Sequence, residues 1–286
     1  MLNNIYQALD PIAFTIGPFA VRWYGLAYAL GFMFGALLLY SIVKRWKLKM
    51  EIEDLLTMVL CLVLGLVIGA RLGYCLFYGN GYYFAHPSEF FAVWNGGMSF
   101  HGGAVGLCIA LCIYAKVKKF SALTLLDLVT IVAPIGLFLG RCANFINGEL
   151  WGKVTDLPWG VIFDGQTLPR HPTQLYEALL EGVLIFVVLF VLSRKNPPRV
   201  KGTFLGIFMV MYGISRFAIE FVRLPDAQIG YLIGDWFTMG QLLSIPLIIG
   251  GICVLVYAKK HKRPQAISLA DERECKSSQA ENCAKE

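Results

Sequence analysis

Residues 128–152 read LVTIVAPIGLFLGRCANFINGELWG, an apolar run that ends in an arginine, two asparagines and a glutamate. The first thirteen residues suit the interior of a lipid bilayer. A charged side chain at the bilayer centre costs at least about 2–3 kcal/mol, so such residues are rare there and usually functional. The segment therefore predicts a membrane fold and singles out Arg141 as a candidate site residue.

The composition of the whole chain agrees with a membrane protein. Its 286 residues are 57% apolar and only 15% charged, with a mean hydropathy of +0.62, whereas about a quarter of the residues in a soluble domain are charged. The N-terminus, MLNNIYQALDP, lacks the three regions of a signal peptide. The eight cysteines show no metal-ligand or disulfide spacing and are interpreted as packing residues. Neither a metal nor a cofactor is predicted.

Seven segments are apolar and about as long as a bilayer-spanning helix, which needs about 20 residues. The sequence therefore predicts an all-α integral membrane protein, with residues 1–263 forming a seven-helix membrane domain. Residues 264–286 are polar and non-periodic, which predicts a disordered cytoplasmic tail. The predicted spans are residues 20–42, 54–78, 98–115, 122–146, 172–192, 203–222 and 238–258.

Lysine and arginine are distributed unequally between the loops on the two sides of these spans. One set of loops holds fifteen of them and the other holds four. Because basic loops stay in the cytoplasm, the N-terminus is predicted to lie outside and the C-terminus inside. This bias also explains the net charge of +6, so no nucleic-acid partner is predicted. The basic set is residues 44–49, 116–119, 194–201 and 259–263; the other is the N-terminus and residues 79–97, 148–171 and 223–237.

With this orientation, the polar residues of six spans fall in the outer half of the membrane. Arg141 lies about 19 residues into span four, and Asn144 follows on roughly the same helical face. A channel or transporter needs polar groups on a path to both faces, so the pattern favours a one-sided site. The remaining residues are Tyr24, Arg71, His101, Glu177, Glu181 and the stripe of span six, Tyr212, Arg216, Glu220 and Arg223.

Several of these residues also have a structural interpretation. For Arg71 and Glu181, a structural role as an ion pair or as interfacial side chains explains the residues as well as a site role does. An aromatic belt accounts for Tyr24, and His101 is explained as a hydrogen-bonded histidine at a helix end. Arg223 is predicted to be interfacial and solvated.

Arg141 and Arg216 are harder to explain in structural terms. They lie on different helices at similar depth, and Glu149 and Glu220 are the obvious carboxylates near them in sequence. Two arginines that face one cavity suit a phosphate group, which accepts the bidentate guanidinium fork. At this depth the most available phosphate belongs to a phospholipid.

The motif GRCANFINGELWG resembles the signature G-R-x-G-N-F-x-N-x-E-x-x-G of the bacterial prolipoprotein diacylglyceryl transferases. Five further segments resemble the family in the same order, so the resemblance covers roughly residues 10–258. Ala143 stands where the family usually has glycine, and the region between Trp151 and Arg170 is shorter than in some members. The further segments are RWYG (22–25), WNGGMSFHGG (94–103), RHPTQLYEALLEG (170–182), YGISRFAIEFVRLPDAQ (212–228) and MGQLLSIP (239–246).

The resemblance implies a seven-span enzyme of the bacterial inner membrane with its active site towards the periplasm. Such an enzyme transfers diacylglycerol from phosphatidylglycerol to the lipobox cysteine next to the signal peptide of an exported prolipoprotein. The products are a thioether-linked prolipoprotein and glycerol 1-phosphate. A flippase or anion transporter, and a purely structural membrane protein, are the competing classes. The one-sided polar pattern disfavours the first, and the co-located histidine and arginines disfavour the second.

The resemblance also assigns the site residues. His101 and Arg216 are the predicted catalytic residues: His101 as a general base for the thiol and Arg216 as a stabiliser of the leaving phosphate. Thiol activation by arginine without His101 remains an alternative. The predicted substrate-binding residues are Tyr24, Arg141, Asn144, Glu149, Gly152, Tyr212 and Glu220.

Overall fold

The computed structural model describes residues 2–17, 19–77, 79, 82–92, 97–195, 198–225, 230–268 and 270–272, with the backbone alone at 19, 100 and 101. Most of these residues are helical. Five helices are long and apolar enough to cross a membrane, so the chain is a helical multi-pass membrane protein. They are Trp23–Arg45, Ile52–Phe77, Ala122–Ile146, Thr173–Ser193 and Met239–His261.

Two further apolar helices, Phe100–Lys118 and Thr203–Ile219, lie where the sequence predicts the other two spans. All seven predicted segments are thus helical, with ends that differ by a few residues. The helices are α1 (Leu2–Gln7), α2 (Trp23–Arg45), α3 (Ile52–Phe77), α4 (Tyr82–Ala85), α5 (Phe100–Lys118), α6 (Ala122–Ile146), α7 (Thr173–Glu177), α8 (Ile185–Ser193), α9 (Thr203–Ile219) and α10 (Met239–His261). A π-helical segment, Ala178–Leu184, joins α7 to α8 in one continuous helix.

The all-α prediction omits two short β-hairpins. Strands β1 (Ile12–Ile16) and β2 (Phe19–Arg22) pair antiparallel immediately before α2. Strands β3 (Tyr231–Ile233) and β4 (Phe237–Thr238) pair in the same way before α10. Each strand has only two to five residues, so a hydropathy pattern on the scale of a membrane span does not detect them.

The chain divides into two compact units, of which the first comprises residues 1–46 and 127–264. At one end of this unit the indole of Trp46 donates to the carbonyl of Ser193, at 3.0 Å. The buried carboxylate of Asp127 accepts from the backbone amides of Gly202 and Leu205 and thereby caps the start of α9. The end of α2, the start of α6 and the α8–α9 loop therefore meet at this end.

At the other end of the first unit, α1 packs on the loop that follows α6. The ring of Tyr6 lies 4.9 Å from that of Phe163 and 5.5 Å from that of Phe145, in a small apolar core. The side chain of Asn3 accepts from the amide of Ile162, and Gln7 donates to its carbonyl. The N-terminus thus holds the loop of residues 147–172 against the end of α6.

The second unit comprises residues 47–126 and 265–286, and its helices α3 and α5 pack on each other through glycines. A Cβ added to Gly65, Gly69 or Gly73 would lie within 2.4–2.7 Å of Gly102, Gly106 or Ala110. Only small residues allow such a close approach of two membrane helices.

Arg71, in α3, has a structural role in the second unit. Its guanidinium donates to the backbone carbonyls of Glu89, Phe90 and Gly97 at 2.5, 3.0 and 3.1 Å. Because these carbonyls need donors and Arg71 is buried, the side chain holds the backbone of these three residues against α3. Arg71 is therefore a buried structural residue rather than an exposed interfacial arginine.

The first residues of the predicted tail are packed rather than free. Ala266 and Ile267 are buried, and their carbonyls accept from the Thr124 hydroxyl and the Ser121 amide. Lys49 pairs with Asp271 at 3.2 Å. Burial would raise the pKa of Asp271, but hydrogen bonds from Ser268 and Lys49 outweigh it and hold the pKa below its usual value. The remainder of the predicted tail, residues 269 and 273–286, lies outside the described residues.

Candidate active site

Arg141 lies in the last turns of α6 and contacts two carboxylates of the α7–α8 helix. Its Nε is 2.9 Å from Oε2 of Glu177, an ion pair without hydrogen-bond alignment. Its Nη2 lies 3.4 Å from Oε2 of Glu181 and donates to it. Glu177 and Glu181 are four residues apart, so they face Arg141 from successive turns.

Glu177 also binds two arginines of the segment that contains α9. Its Oε1 accepts from Nη1 of Arg216 at 2.6 Å and from Nη1 of Arg223 at 2.9 Å. One carboxylate therefore joins the end of α6 to the end of α9. The predicted solvated, interfacial position of Arg223 is wrong: the residue is buried because its guanidinium neutralises two carboxylates.

Glu220 completes the cluster on the side of α10. Its Oε1 lies 2.5 Å from Nη2 of Arg216 and 3.7 Å from Nε of Arg223. Its Oε2 accepts from the Thr238 hydroxyl, which also caps α10. The i,i+4 pair of Arg216 and Glu220 that the sequence suggested is present. A Cβ on Gly240 would lie 2.6 Å from Glu220, so glycine leaves room for this carboxylate.

The six side chains form an electrically balanced group, here called the arginine–glutamate cluster. Its three arginines and three glutamates carry no net charge, as a buried group of ions requires. The side chain of Glu177 is 0% exposed, whereas those of Arg141 and Arg216 are 14% and 19% exposed. Within the described residues, Nη1 of Arg141 and Nε of Arg216 take part in no ion pair or hydrogen bond. The two arginines therefore retain donors for an anionic ligand.

Asn144 and Glu149 lie beside one another where α6 ends. The amide of Asn144 donates to Oε2 of Glu149 at 3.3 Å, and Asn147 donates to Oε1 at the same distance. Gln174, in α7, donates to the Glu149 carbonyl. The helix end and the start of α7 are thus fixed together, and Glu149 pairs with amides rather than with Arg141.

Gly152 is surrounded by backbone. Its amide donates to the His171 carbonyl at 2.9 Å, and it forms a β-bridge with Arg223. A Cβ at this position would lie 2.5 Å from the carbonyl oxygen of Val222 and 2.7 Å from Cγ2 of Thr173. This close approach explains why glycine is needed here.

We expect Gly152→Ala to lower the free energy of unfolding by about 1–3 kcal/mol, because the new methyl group would displace backbone. Gly136→Ala is the matched control, since a Cβ there meets no atom within 4 Å and alanine favours a helix. Thermal unfolding of both variants in detergent is the measurement. Equal stability of the two would contradict the steric explanation.

His171 lies next to this glycine. Its Nδ1 is 3.2 Å from the hydroxyl of Tyr176, which accepts from the indole of Trp159 at 2.7 Å. Burial lowers the pKa of His171, so the imidazole is neutral at pH 7. It is therefore a structural histidine of the loop that follows α6 rather than an additional cation.

The other predicted site residues lie outside the network of ion pairs. Tyr24 is in the first turn of α2, half-buried, with its ring 5.3 Å from that of Tyr28. Tyr212 lies one turn before Arg216 in α9 and stacks on Phe208. His101 is the second residue of α5, and its side chain lies outside the described residues. The proposed role of His101 as a base therefore remains a prediction.

Sequence reasoning did not assign a role to Glu177, nor did it predict the partners of Arg141. The signal was present in TQLYEALLEG, where two carboxylates four residues apart interrupt an apolar helix. Within the described part of the chain, no three His, Cys, Asp or Glu side chains converge as metal ligands. The cluster instead presents guanidinium groups, which suit a phosphate or carboxylate ligand.

The fold and the site define a multi-pass membrane protein with a cluster of paired arginines and glutamates among its helices. The profile of the family "Prolipoprotein diacylglyceryl transferase" matches residues 11–257, and this chain belongs to that family. Three relatives, from Pseudomonas paraeruginosa, Pseudomonas putida and Oleidesulfovibrio alaskensis, are named phosphatidylglycerol--prolipoprotein diacylglyceryl transferase. They are 46%, 47% and 44% identical to this chain over 91%, 91% and 92% of its length, and over 97%, 98% and 98% of their own.

Proposed function

We propose that this chain transfers the diacylglyceryl group of phosphatidylglycerol to a prolipoprotein, as the names of its relatives state for them. The observation that carries the proposal is the convergence of Arg141 and Arg216 on Glu177, at 2.9 and 2.6 Å. Both arginines are partly exposed and hold unused N–H donors. Two such guanidinium groups suit the phosphate of an anionic phospholipid.

In the proposed reaction the acceptor is the thiol of the lipobox cysteine. The sulfur forms a bond to the glycerol carbon that carries the phosphate, and the C–O bond to the phosphate breaks. Glycerol 1-phosphate leaves with the electron pair of that bond, and the thiol proton passes to His101. Such a base assists because a free thiol, with a pKa of about 8.5, is mostly protonated at neutral pH.

The arginines have different parts in this proposal. Arg141 holds the lipid phosphate, and Arg216 neutralises the charge that develops on the leaving group. Glu220 orients Arg216, which it contacts at 2.5 Å. Asn144, Glu149, Gly152, Tyr24 and Tyr212 are proposed to bind the lipid head group around them.

Transfer is tested with the purified protein, phosphatidylglycerol and a lipobox peptide. The expected result is a peptide that gains the mass of one diacylglyceryl group on its cysteine. Phosphatidylcholine in place of phosphatidylglycerol and a peptide with serine for cysteine are the controls. If folded protein leaves the cysteine peptide unmodified, the proposed function is wrong.

We further propose seven membrane spans within residues 1–263, in the bacterial inner membrane, with the site towards the periplasm and residues 264–286 in the cytoplasm. The contacts in the first unit support this arrangement. The arginine–glutamate cluster joins the ends of α6 and α9 to the starts of α7 and α10. Basic loop residues flank the opposite helix ends, where Trp46 contacts Ser193.

Labelling of single cysteines tests the orientation. In a chain freed of its own cysteines, a cysteine at position 90 should react with a membrane-impermeant reagent from outside, and one at position 262 should not. The reason is the excess of lysine and arginine in the basic set of loops, to which position 262 belongs. Reaction of position 262 but not 90 would reverse the topology and with it the periplasmic site.

A further inference from the structure

Glu177 holds a unique position in the arginine–glutamate cluster. Its Oε2 faces Nε of Arg141, and its Oε1 accepts from both Arg216 and Arg223. Within the cluster, Glu181 contacts Arg141 but neither of the other arginines, and Glu220 contacts Arg216 and Arg223. Among the six residues, only Glu177 binds Arg141 and Arg216 together.

The two oxygens of Glu177 hold Arg141 and Arg216 apart, because each oxygen faces one of them. A guanidinium fork fits the oxygens of carboxylates and phosphates alike. Arg141 and Arg216 therefore approach the two oxygens of this carboxylate much as they would approach two oxygens of a phosphate. The unused donors of both arginines remain free for a second anion, so Glu177 can stay in place while a lipid phosphate binds.

The backbone around Glu177 is fixed from the external loop. In the same short helix, Thr173 donates to the Leu150 carbonyl at 2.8 Å, and Gln174 donates to the Glu149 carbonyl. The π-helical segment Ala178–Leu184 begins directly after Glu177, and such segments are frequent at functional sites. The carboxylate is therefore a rigid point between two helix ends.

We propose that Glu177 is a positioning residue that sets the separation of Arg141 and Arg216, the two arginines to which the proposed function assigns the lipid phosphate. The proposal rests on that function. It assigns no proton transfer and no substrate contact to Glu177. Its charge also keeps three neighbouring guanidinium groups from repelling one another.

The test compares Glu177→Gln with wild type in transfer assays and in binding of phosphatidylglycerol. Glutamine keeps the shape but leaves the cluster with a charge of +1, so the arginines separate. A displacement of about 1 Å is enough to lower a rate on the order of 100-fold, and we expect that loss in kcat. Lipid affinity should stay within about threefold or improve, because the site becomes more positive.

A charge-compensating variant separates repulsion from loss of fold. Glu177→Gln with Arg223→Gln restores a neutral cluster while Arg141 and Arg216 remain. We expect the double variant to transfer about tenfold faster than Glu177→Gln, since the third guanidinium no longer repels the other two. Arg223→Gln alone gives the reference rate. A residue needed only for folding would show neither a kcat effect with normal lipid binding nor this rescue.

Glu177→Asp is the second variant, should Glu177→Gln not fold. It keeps the charge but is one methylene shorter, so it cannot reach both Arg141 and Arg216; kcat should fall about tenfold with lipid affinity unchanged. The proposal is wrong if folded Glu177→Gln transfers within threefold of wild type. It is also wrong if lipid binding falls in parallel with transfer and the double variant shows no rescue. Failure of wild type to modify the peptide would instead overturn the proposed function.

Discussion

Arg141→Lys is expected to lower diacylglyceryl transfer on the order of 100-fold although the positive charge is kept. The guanidinium of Arg141 reaches Glu177 through Nε and Glu181 through Nη2, and it still has Nη1 for a phosphate. A lysine ammonium is a compact point charge on a flexible stem and cannot reproduce this planar fork. Loss of position at the reacting group accounts for an effect of this size.

The measurement is the initial rate of peptide modification by the purified variant, at saturating and at limiting phosphatidylglycerol. Arg199→Lys is the matched control, because Arg199 is exposed and lies in a basic loop; its rate should equal that of wild type. Near-normal turnover by Arg141→Lys would show that charge alone suffices, or that Arg141 is structural.

The second large effect concerns the pH dependence of His101→Gln and Arg216→Gln. General-base catalysis supplies about 10²–10⁴-fold, and loss of one charge-stabilising donor costs about 10²–10³-fold. Both variants are therefore expected to be strongly impaired at pH 7. If His101 removes the thiol proton, the activity of His101→Gln should recover partly as the pH approaches about 8.5, where thiolate forms without a base. Arg216→Gln should not recover, because its defect lies in the charge of the leaving phosphate.

Rates from pH 6 to 9 for both variants, each first shown to be folded and inserted in membrane, decide between the two roles. In Arg216→Gln, Glu177 and Glu220 still have Arg223 as a partner. The charges of these two carboxylates therefore remain partly neutralised in this variant. Parallel pH profiles, or recovery of Arg216→Gln alone, would make the arginine the group that activates the thiol.

Hydropathy located the apolar helices well, because the free energy of transferring a side chain into lipid depends chiefly on the chemistry of that side chain. The predicted segment 122–146 is helix α6 as found, and the other six differ only at their ends. The strands β1 to β4 were not predicted, because the pairing of such short strands depends on the partner strand rather than on composition. The burial of Ala266 and Ile267 was not predicted, because the residues around them in the sequence are polar.

The sequence by itself determined that Arg141 and Arg216 are exceptional, since an arginine in an apolar helix requires a partner or a ligand. Only the tertiary structure decided which partner each has. Glu149, eight residues from Arg141, pairs with asparagines, whereas Glu177, thirty-six residues away, binds three arginines at once. Arg223 changed from an expected surface residue to a buried one for the same reason. Ion pairs between helices depend on how each helix is rotated and how its end packs, and neither property is local to the chain.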